Sequence, residues 1–433
     1  MKDQKQAAKP NQKDSPDDPP APMSSPLDRF LARRILLVVT GGIAAYKAAE
    51  LARLITKSGG LVRVAMTEAA TRFITPLTFT SLTGQAVVTD LWDRVNADDN
   101  VIHVAWSQWA EIMITCPATA NFIAKLAHGL ADDFASCTSL AFQGPRLVAP
   151  AMNTGMYLNP ATKSNLEILT KRGYRVLESP EGLLACGTIG AGRMAEVPMI
   201  AWEAARLLSP SLLKGRRVVV TGGATREPWD DIRFLSNRSS GLMGSALASA
   251  AWLLGAEVTL IAGLSATVPN TLPEGLNVQR VETCDDLLTA VAQALDGAWA
   301  LVMNAAPADF KPIERIKGKI RKSGQQAPAL TLTRTPDILK TLSPQKGQTI
   351  MVGFAAEDGE DLKSKARDKL NAKNLDYIAA NRAGGQGDVF ESDSISLTLM
   401  SSGGSEIDVG PYPKFQAAWE LWHLLASGYG KIS

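Results

Sequence analysis

Cys186 lies in Leu184-Ala185-Cys186-Gly187-Thr188-Ile189-Gly190-Ala191-Gly192-Arg193-Met194, where three glycines in six residues have the composition of a flexible lid. A thiol carried on a lid can deliver a proton to a bound substrate; elsewhere it is a small apolar packing residue. Two side-chain amides close short loops, Pro117-Ala118-Thr119-Ala120-Asn121 and Ala151-Met152-Asn153. Each loop follows an apolar run, so each amide can orient a polar ligand group, although Asn153 reads equally well as a helix cap. His103 is one of three histidines and on its own reads as a solvated or satisfied ring.

A second group of reactive types starts at Ala224. The stretch Ala224-Thr225-Arg226-Glu227-Pro228-Trp229-Asp230-Asp231-Ile232-Arg233-Phe234-Leu235-Ser236-Asn237-Arg238-Ser239-Ser240-Gly241 is dense in hydroxyl, amide and guanidinium groups and opens a small-residue helix at 244–254. That is the setting for an anion at a helix N-terminus, and also for a polar dimer-interface loop. Downstream of Asp309 come Lys311, Arg315, Lys317, Lys319, Arg321 and Lys322, with Gly318 among them. The run suits a polyphosphate-binding loop or a solvated face. Lys369 and Lys373 form an i,i+4 cationic pair, and Gly353-Phe354-Ala355-Ala356-Glu357 ends an apolar run with small residues and one aromatic, apt for approaching a base.

The elements that must position these groups announce themselves as a repeat. Leu36-Leu37-Val38-Val39-Thr40-Gly41-Gly42 is echoed by Val218-Val219-Val220-Thr221-Gly222-Gly223. A β-rich apolar run ending in Thr-Gly-Gly is a buried parallel strand feeding a tight turn, where backbone N–H groups approach a phosphate. Strands are expected at 35–40, 61–66, 111–116, 146–150 and 174–177, with a helix over 44–57 stopped at Gly59-Gly60. A second series falls at 216–220, 257–262, 299–304, 350–354 and 376–380. The strand–helix alternation predicts an α/β chain of two doubly wound units with ligands at the carboxyl ends of the strands. The expected division is a disordered polar tail over 1–30, a first domain over 31–207, a linker over 208–214 and a second domain over 215–433. At 433 residues, 45% apolar, 20% charged and net charge +2, the chain has room for these cores and gives no case for nucleic acid. Its four cysteines are scattered, with neither disulfide nor zinc spacing, and no 18-residue uncharged apolar run is present. A cytoplasmic location without membrane contact is expected.

Gly41-Gly42-Ile43-Ala44-Ala45-Tyr46-Lys47, His103, Pro117–Asn121, Pro150-Ala151-Met152-Asn153 and the Cys186 segment together resemble the flavin-dependent cysteine decarboxylases. The closer resemblance is to the decarboxylase half of the bifunctional phosphopantothenoylcysteine decarboxylase/phosphopantothenate–cysteine ligase family. It implies a flavodoxin-like fold holding FMN, with the phosphate at Gly42, Ile43 and Ala44. Thr67, Pro117, Ala118, Thr119 and Asn121 would line the flavin. His103 would act at the reacting carboxylate, Asn153 would hold it, and Cys186 would be the proton donor. The chemistry agrees with these parts. A cysteine carboxylate has no electron sink, so transient oxidation of the thiol to a thioaldehyde allows CO₂ loss, and the enethiolate that results needs a proton and a returned hydride. Thr40 stands where the family often has Ser, and Cys116 is read as packing.

Thr225–Pro228, Ser236–Gly241, Lys319-Ile320-Arg321-Lys322, Pro336-Asp337-Ile338-Leu339, Gly353–Glu357 and Lys369…Lys373…Asp376…Asn381 resemble the ligase half of the same family. The resemblance implies a Rossmann-like ligase domain that joins 4′-phosphopantothenate to L-cysteine using CTP with Mg²⁺. Asn237 would contact the acyl-cytidylate, and Lys319 would stabilise charge as it forms. Asp309, Lys319, Pro336, Asp337, Ile338, Leu339, Phe354, Lys369 and Lys373 would bind CTP; the metal ligands cannot be assigned. Pro307 replaces the usual Val and Arg321 the common Lys. The family implies homo-oligomers, decarboxylase trimers joined through ligase dimers, acting on small molecules. Two other readings are a flavoprotein whose second domain only assembles or regulates it, and a nicotinamide-dependent oxidoreductase. The latter lacks Gly-x-Gly-x-x-Gly.

Overall fold

The computed structural model describes residues 22–93, 101–185, 187–320, 329–357, 361–382 and 392–430. Strand Arg34–Val39 is buried along all but its first residue, as a continuous aliphatic run covered on both faces must be. It pairs in parallel with Leu61–Met66 on one side and Ile112–Ala118 on the other. The whole six-stranded sheet has the order Val87–Val88, Leu61–Met66, Arg34–Val39, Ile112–Ala118, Arg146–Pro150, Arg175–Val176. Without the two-residue edge strand this is the flavodoxin-like order 2-1-3-4-5, whose switch point lies between Arg34–Val39 and Ile112–Ala118. The crossover helix Ala45–Lys57 buries Ala45, Ala48, Leu51, Ala52 and Ile55, one stripe at helical spacing. It ends where Gly59 takes φ +79°.

The second sheet has eight strands, ordered Leu276–Val281, Glu257–Gly263, Arg217–Gly222, Ala300–Met303, Ile350–Glu357, Tyr377–Arg382, Ser394–Ser401, Glu406–Pro413. The first six run parallel in the Rossmann order 3-2-1-4-5-6, and the last two turn back antiparallel. Its switch point lies between Arg217–Gly222 and Ala300–Met303. Helix Leu242–Leu253 starts hard against the first strand: a Cβ on Gly244 would sit 2.8 Å from the Gly222 Cα, so both glycines are needed for the contact.

Two expectations change. Of the tail, residues 22–30 are ordered: Ser25 and Asp28 form a capping box on the short helix Pro26–Phe30, and Phe30 is fully buried. Their polar, proline-rich composition is spent on that cap and on contacts to the far end of the chain. The 208–214 stretch is packed rather than loose, with Leu213 buried and its N–H bonded to the Leu254 carbonyl.

One apolar cluster runs from the first sheet through helix Val197–Leu207 into the helices Leu242–Leu253 and Lys414–Ala426. Arg175, in the last strand of the first sheet, makes a two-pronged ion pair with buried Glu203 at 2.8 and 3.1 Å and reaches Glu274 in the second half at 3.1 Å. Trp202 and Trp252 meet across the same seam, with ring centroids 5.8 Å apart and planes tilted by 42°.

Candidate active sites

At the first switch point, two cavities flank the Gly41 turn. One, of about 740 Å³, is lined by Thr40, Gly41, Thr67, Thr89, Trp92 and Asn121 among others. The other, of about 860 Å³, is lined by Gly42, Ile43, Ala44, Asn153, Ala185 and Arg193 among others. Thr40 organises the turn: its hydroxyl donates to the Pro117 carbonyl at 2.7 Å and accepts from the Thr119 N–H at 3.1 Å. Thr119 then caps helix Ala120–His128, and Thr67 caps the turn Glu68–Thr71. Helix Ala45–Lys57 has no side-chain cap at Ala44; its Ala45 and Lys47 N–H groups turn back to the Gly42 and Ala44 carbonyls at 2.9 and 3.0 Å, and its N-terminus faces the cavity lined by Gly42, Ile43 and Ala44. A Cβ on Gly42 would meet nothing nearer than Thr119 Cγ2 at 3.7 Å, so the backbone is open on the cavity side. The site thus fits a phosphorylated, planar cofactor.

Asn153 caps helix Thr154–Leu158 through the Gly155 N–H at 2.8 Å and also lines the larger cavity. Cys186 lies outside the described residues. The hairpin that carries it is described: Gly182–Leu183 pairs with Ile189–Gly190, and the Leu184 N–H bonds the Thr188 carbonyl at 2.8 Å. Its base is seated where the Met152 N–H donates to the Gly192 carbonyl at 2.9 Å. Pro117 and Ala118 are buried within their strand rather than lining either cavity. His103, half-buried on helix Ile102–Trp109, also lines neither. Cys116 is fully buried, and desolvation pushes its thiol up to about 12 against the pull of Lys47. It stays neutral packing, as its sequence context implied.

At the second switch point, a cavity of about 470 Å³ is lined by Asp309, Pro336, Asp337, Ile338, Leu339, Phe354 and Lys373, together with Met303, Phe310 and Arg334. Asp337 caps helix Ile338–Leu342 and pairs with Lys373 at 3.1 Å. The Asn237 amide donates to the Pro307 carbonyl at 2.9 Å, tying the Ser236–Gly241 loop to the strand end that presents Asp309. Lys319 and Lys369 are exposed and lie outside this lining, while Arg321 and Lys322 fall outside the described residues. Among the described residues no cluster of three or more His, Cys, Asp or Glu side chains forms a metal cage; a magnesium ion carried by a triphosphate needs only one or two protein carboxylates.

Behind this cavity sits a carboxylate whose role the sequence left unassigned. Glu227 is 2% exposed and accepts from the Cys284 N–H, at the start of helix Cys284–Leu295, at 2.8 Å. Burial raises its pKa, and the Cys284 N–H and Thr225 hydroxyl offset that only in part. Thr225 in turn accepts from the Ala308 N–H at 3.0 Å, and Cys284 Sγ donates to the Pro336 carbonyl at 3.5 Å, so the network reaches two cavity walls.

The flavoprotein family model matches residues 24–208, and that of the DNA/pantothenate metabolism flavoprotein C-terminal domain matches residues 213–429. The coenzyme A biosynthesis bifunctional protein CoaBC of Bacillus subtilis is 41% identical over 399 residues, covering 91% of this chain and 97% of that protein. The chain belongs to this family. Its Mycobacterium tuberculosis relative is 41% identical over 390 residues, 87% of this chain and 92% of that protein. A solved C-terminal domain of a CoaBC protein aligns at 33% identity over 50% of this chain and 97% of its own, with a TM-score of 0.43. As a family member the chain is a bifunctional enzyme of coenzyme A biosynthesis, with decarboxylase and ligase activities on small-molecule substrates. That excludes the nicotinamide reading and a merely structural second half. No helix among the described residues is long and apolar enough to cross a membrane.

Proposed function

We propose that the chain catalyses two consecutive steps: CTP-dependent ligation of 4′-phosphopantothenate with L-cysteine through an acyl-cytidylate, then FMN-dependent decarboxylation of 4′-phosphopantothenoylcysteine to 4′-phosphopantetheine and CO₂. Residues 31–207 carry the second step and 215–433 the first. The observation that carries the reading is that each sheet has its own ligand-sized cavity at its own switch point.

When bound, FMN supplies a reversible hydride acceptor. Gly42, Ile43 and Ala44 would hold its phosphate, Thr67, Thr119 and Asn121 would border its ring, and Asn153 would orient the substrate carboxylate. Cys186, carried on the hairpin, protonates the enethiolate. In the ligase, Asn237 steadies the acyl-cytidylate. Asp309, the Pro336–Leu339 turn, Phe354, Lys369 and Lys373 would hold CTP, and Mg²⁺ would supply further positive charge there. Lys319 offsets charge as pyrophosphate leaves. The reading includes a homo-oligomer in the cytoplasm, for whose contacts exposed apolar side chains such as Leu77 and Trp92 of the first half and Ile232 and Ile313 of the second are available. His103 acts at the reacting carboxylate by family resemblance, and it lies outside both cavity linings of its own protomer. The deciding experiment supplies phosphopantothenate and cysteine with CTP or ATP and follows pyrophosphate and CO₂. CTP-driven release of both supports the reading, and CO₂ release without pyrophosphate overturns the ligase half.

A further inference from the structure

The adjacent carboxylates Asp230 and Asp231 have no part in the functions assigned above, yet their bonds converge on one place. Asp230 is 2% exposed in an otherwise half-exposed loop. Its Oδ1 accepts from the N–H groups of Ile232 and Arg233 at 2.8 and 2.6 Å, closing an Asx-type turn. Its Oδ2 accepts from the Ile320 N–H at 3.1 Å, ninety positions along the chain, and faces Arg233 Nη1 at 3.3 Å. Asp231 Oδ2 accepts from the Gly318 N–H at 2.8 Å, and its Oδ1 takes Arg315 at 3.2 Å. Ile316 N–H donates to the Trp229 carbonyl at 2.9 Å, and Arg233 Nη2 to the Ile320 carbonyl at 3.4 Å. Gly318 and Ile320 are the two neighbours of Lys319. The backbone is therefore held on both sides of an exposed lysine that forms no part of the cavity wall.

We propose that Asp230 and Asp231 are positioning residues that fix the Lys319 backbone, so that its ammonium meets the charge arising in acyl-cytidylate formation. This rests on the role of Lys319 given above. In that step a substrate carboxylate oxygen bonds to the α-phosphorus, the bond from that phosphorus to the bridging oxygen breaks, and pyrophosphate leaves with the electron pair. A cation contributes to such a step only if it is aimed before the charge develops.

The test uses the full chain with FMN and reads steady-state pyrophosphate release from CTP, phosphopantothenate and cysteine. Asp230→Asn is the selective variant: its amide oxygen keeps the Asx turn, while its NH₂ replaces the acceptor facing the Ile320 N–H. We expect kcat to fall about tenfold to a hundredfold with KM for CTP within about twofold. Amide exchange at Ile320 should accelerate, and Asp230→Asn should add little on a Lys319→Gln background. The partly exposed Asp231→Asn should give a smaller loss of the same kind, including if Asp230→Asn does not fold. Faster exchange at Ile320 with unchanged kcat, or losses that add fully in the double variant, would overturn the positioning role while leaving Lys319 in place. Full activity of Lys319→Gln would instead remove the lysine's role, and the proposal with it.

Discussion

Glu227 shows what a single buried acid costs and fixes. Its pKa is raised chiefly by burial, so the folded chain holds this proton more tightly than the unfolded chain does. The associated stability is fully present below the ordinary glutamate range and is lost as pH rises through the raised folded value. Glu227→Gln keeps an acceptor for the Cys284 N–H and removes the titration. Its melting temperature should fall less than that of the natural protein between about pH 5 and pH 8, by calorimetry. An equal fall in both would show that Glu227 does not titrate in that range. None of this was readable from local sequence. Glu227 meets Cys284 across 57 positions and Asp230 meets Ile320 across 90, so the motifs marked these residues as unusual without naming their partners. Asn153, by contrast, was legible because a cap is a local device.

The main parallel strands were legible because aliphatic runs such as Arg34–Val39 and Arg217–Gly222, buried on both sides, have no other stable setting. Edge elements were not. Strand Leu276–Val281 buries only its two ends, and Glu406–Pro413 carries Pro411 and Pro413 and buries only Val409. The hairpin of Gly182–Leu183 and Ile189–Gly190 is the element most open to test. Gly192 has φ +118°, and a Cβ there would lie 2.3 Å from the Met152 carbonyl. Gly192→Ala should unseat the hairpin from Met152–Asn153 and lower decarboxylation by about a hundredfold, the cost of misplacing a reacting group by about 1 Å. Ligation should be untouched. Normal CO₂ release by the variant would show that the seat is dispensable.

At the scale of the whole chain, two sites share one continuous core but occupy separate sheets. Lys319→Gln should cripple ligation by roughly a hundredfold, the loss of one transition-state contact, and leave decarboxylation of supplied phosphopantothenoylcysteine near normal. His103→Asn should do the reverse. If either variant abolished both activities in paired assays, a shared site or a collapsed assembly would replace the two-site reading. The sequence located both Thr-Gly-Gly turns but not the seam between the halves, where Arg175 spans Glu203 and Glu274. The same seam joins the start of the described chain to its last helix. The Met23 N–H bonds Gln416 at 3.1 Å, and Arg29 lies 4.8 Å over the Trp419 ring. Residues 22–30 leave the ribosome long before the helix Lys414–Ala426. At about 5–20 residues per second the early segment waits on the order of half a minute for its partner. Met23 and Leu27 stay available to chaperones until that helix emerges, so stalled or prematurely ended chains are marked by an open seam.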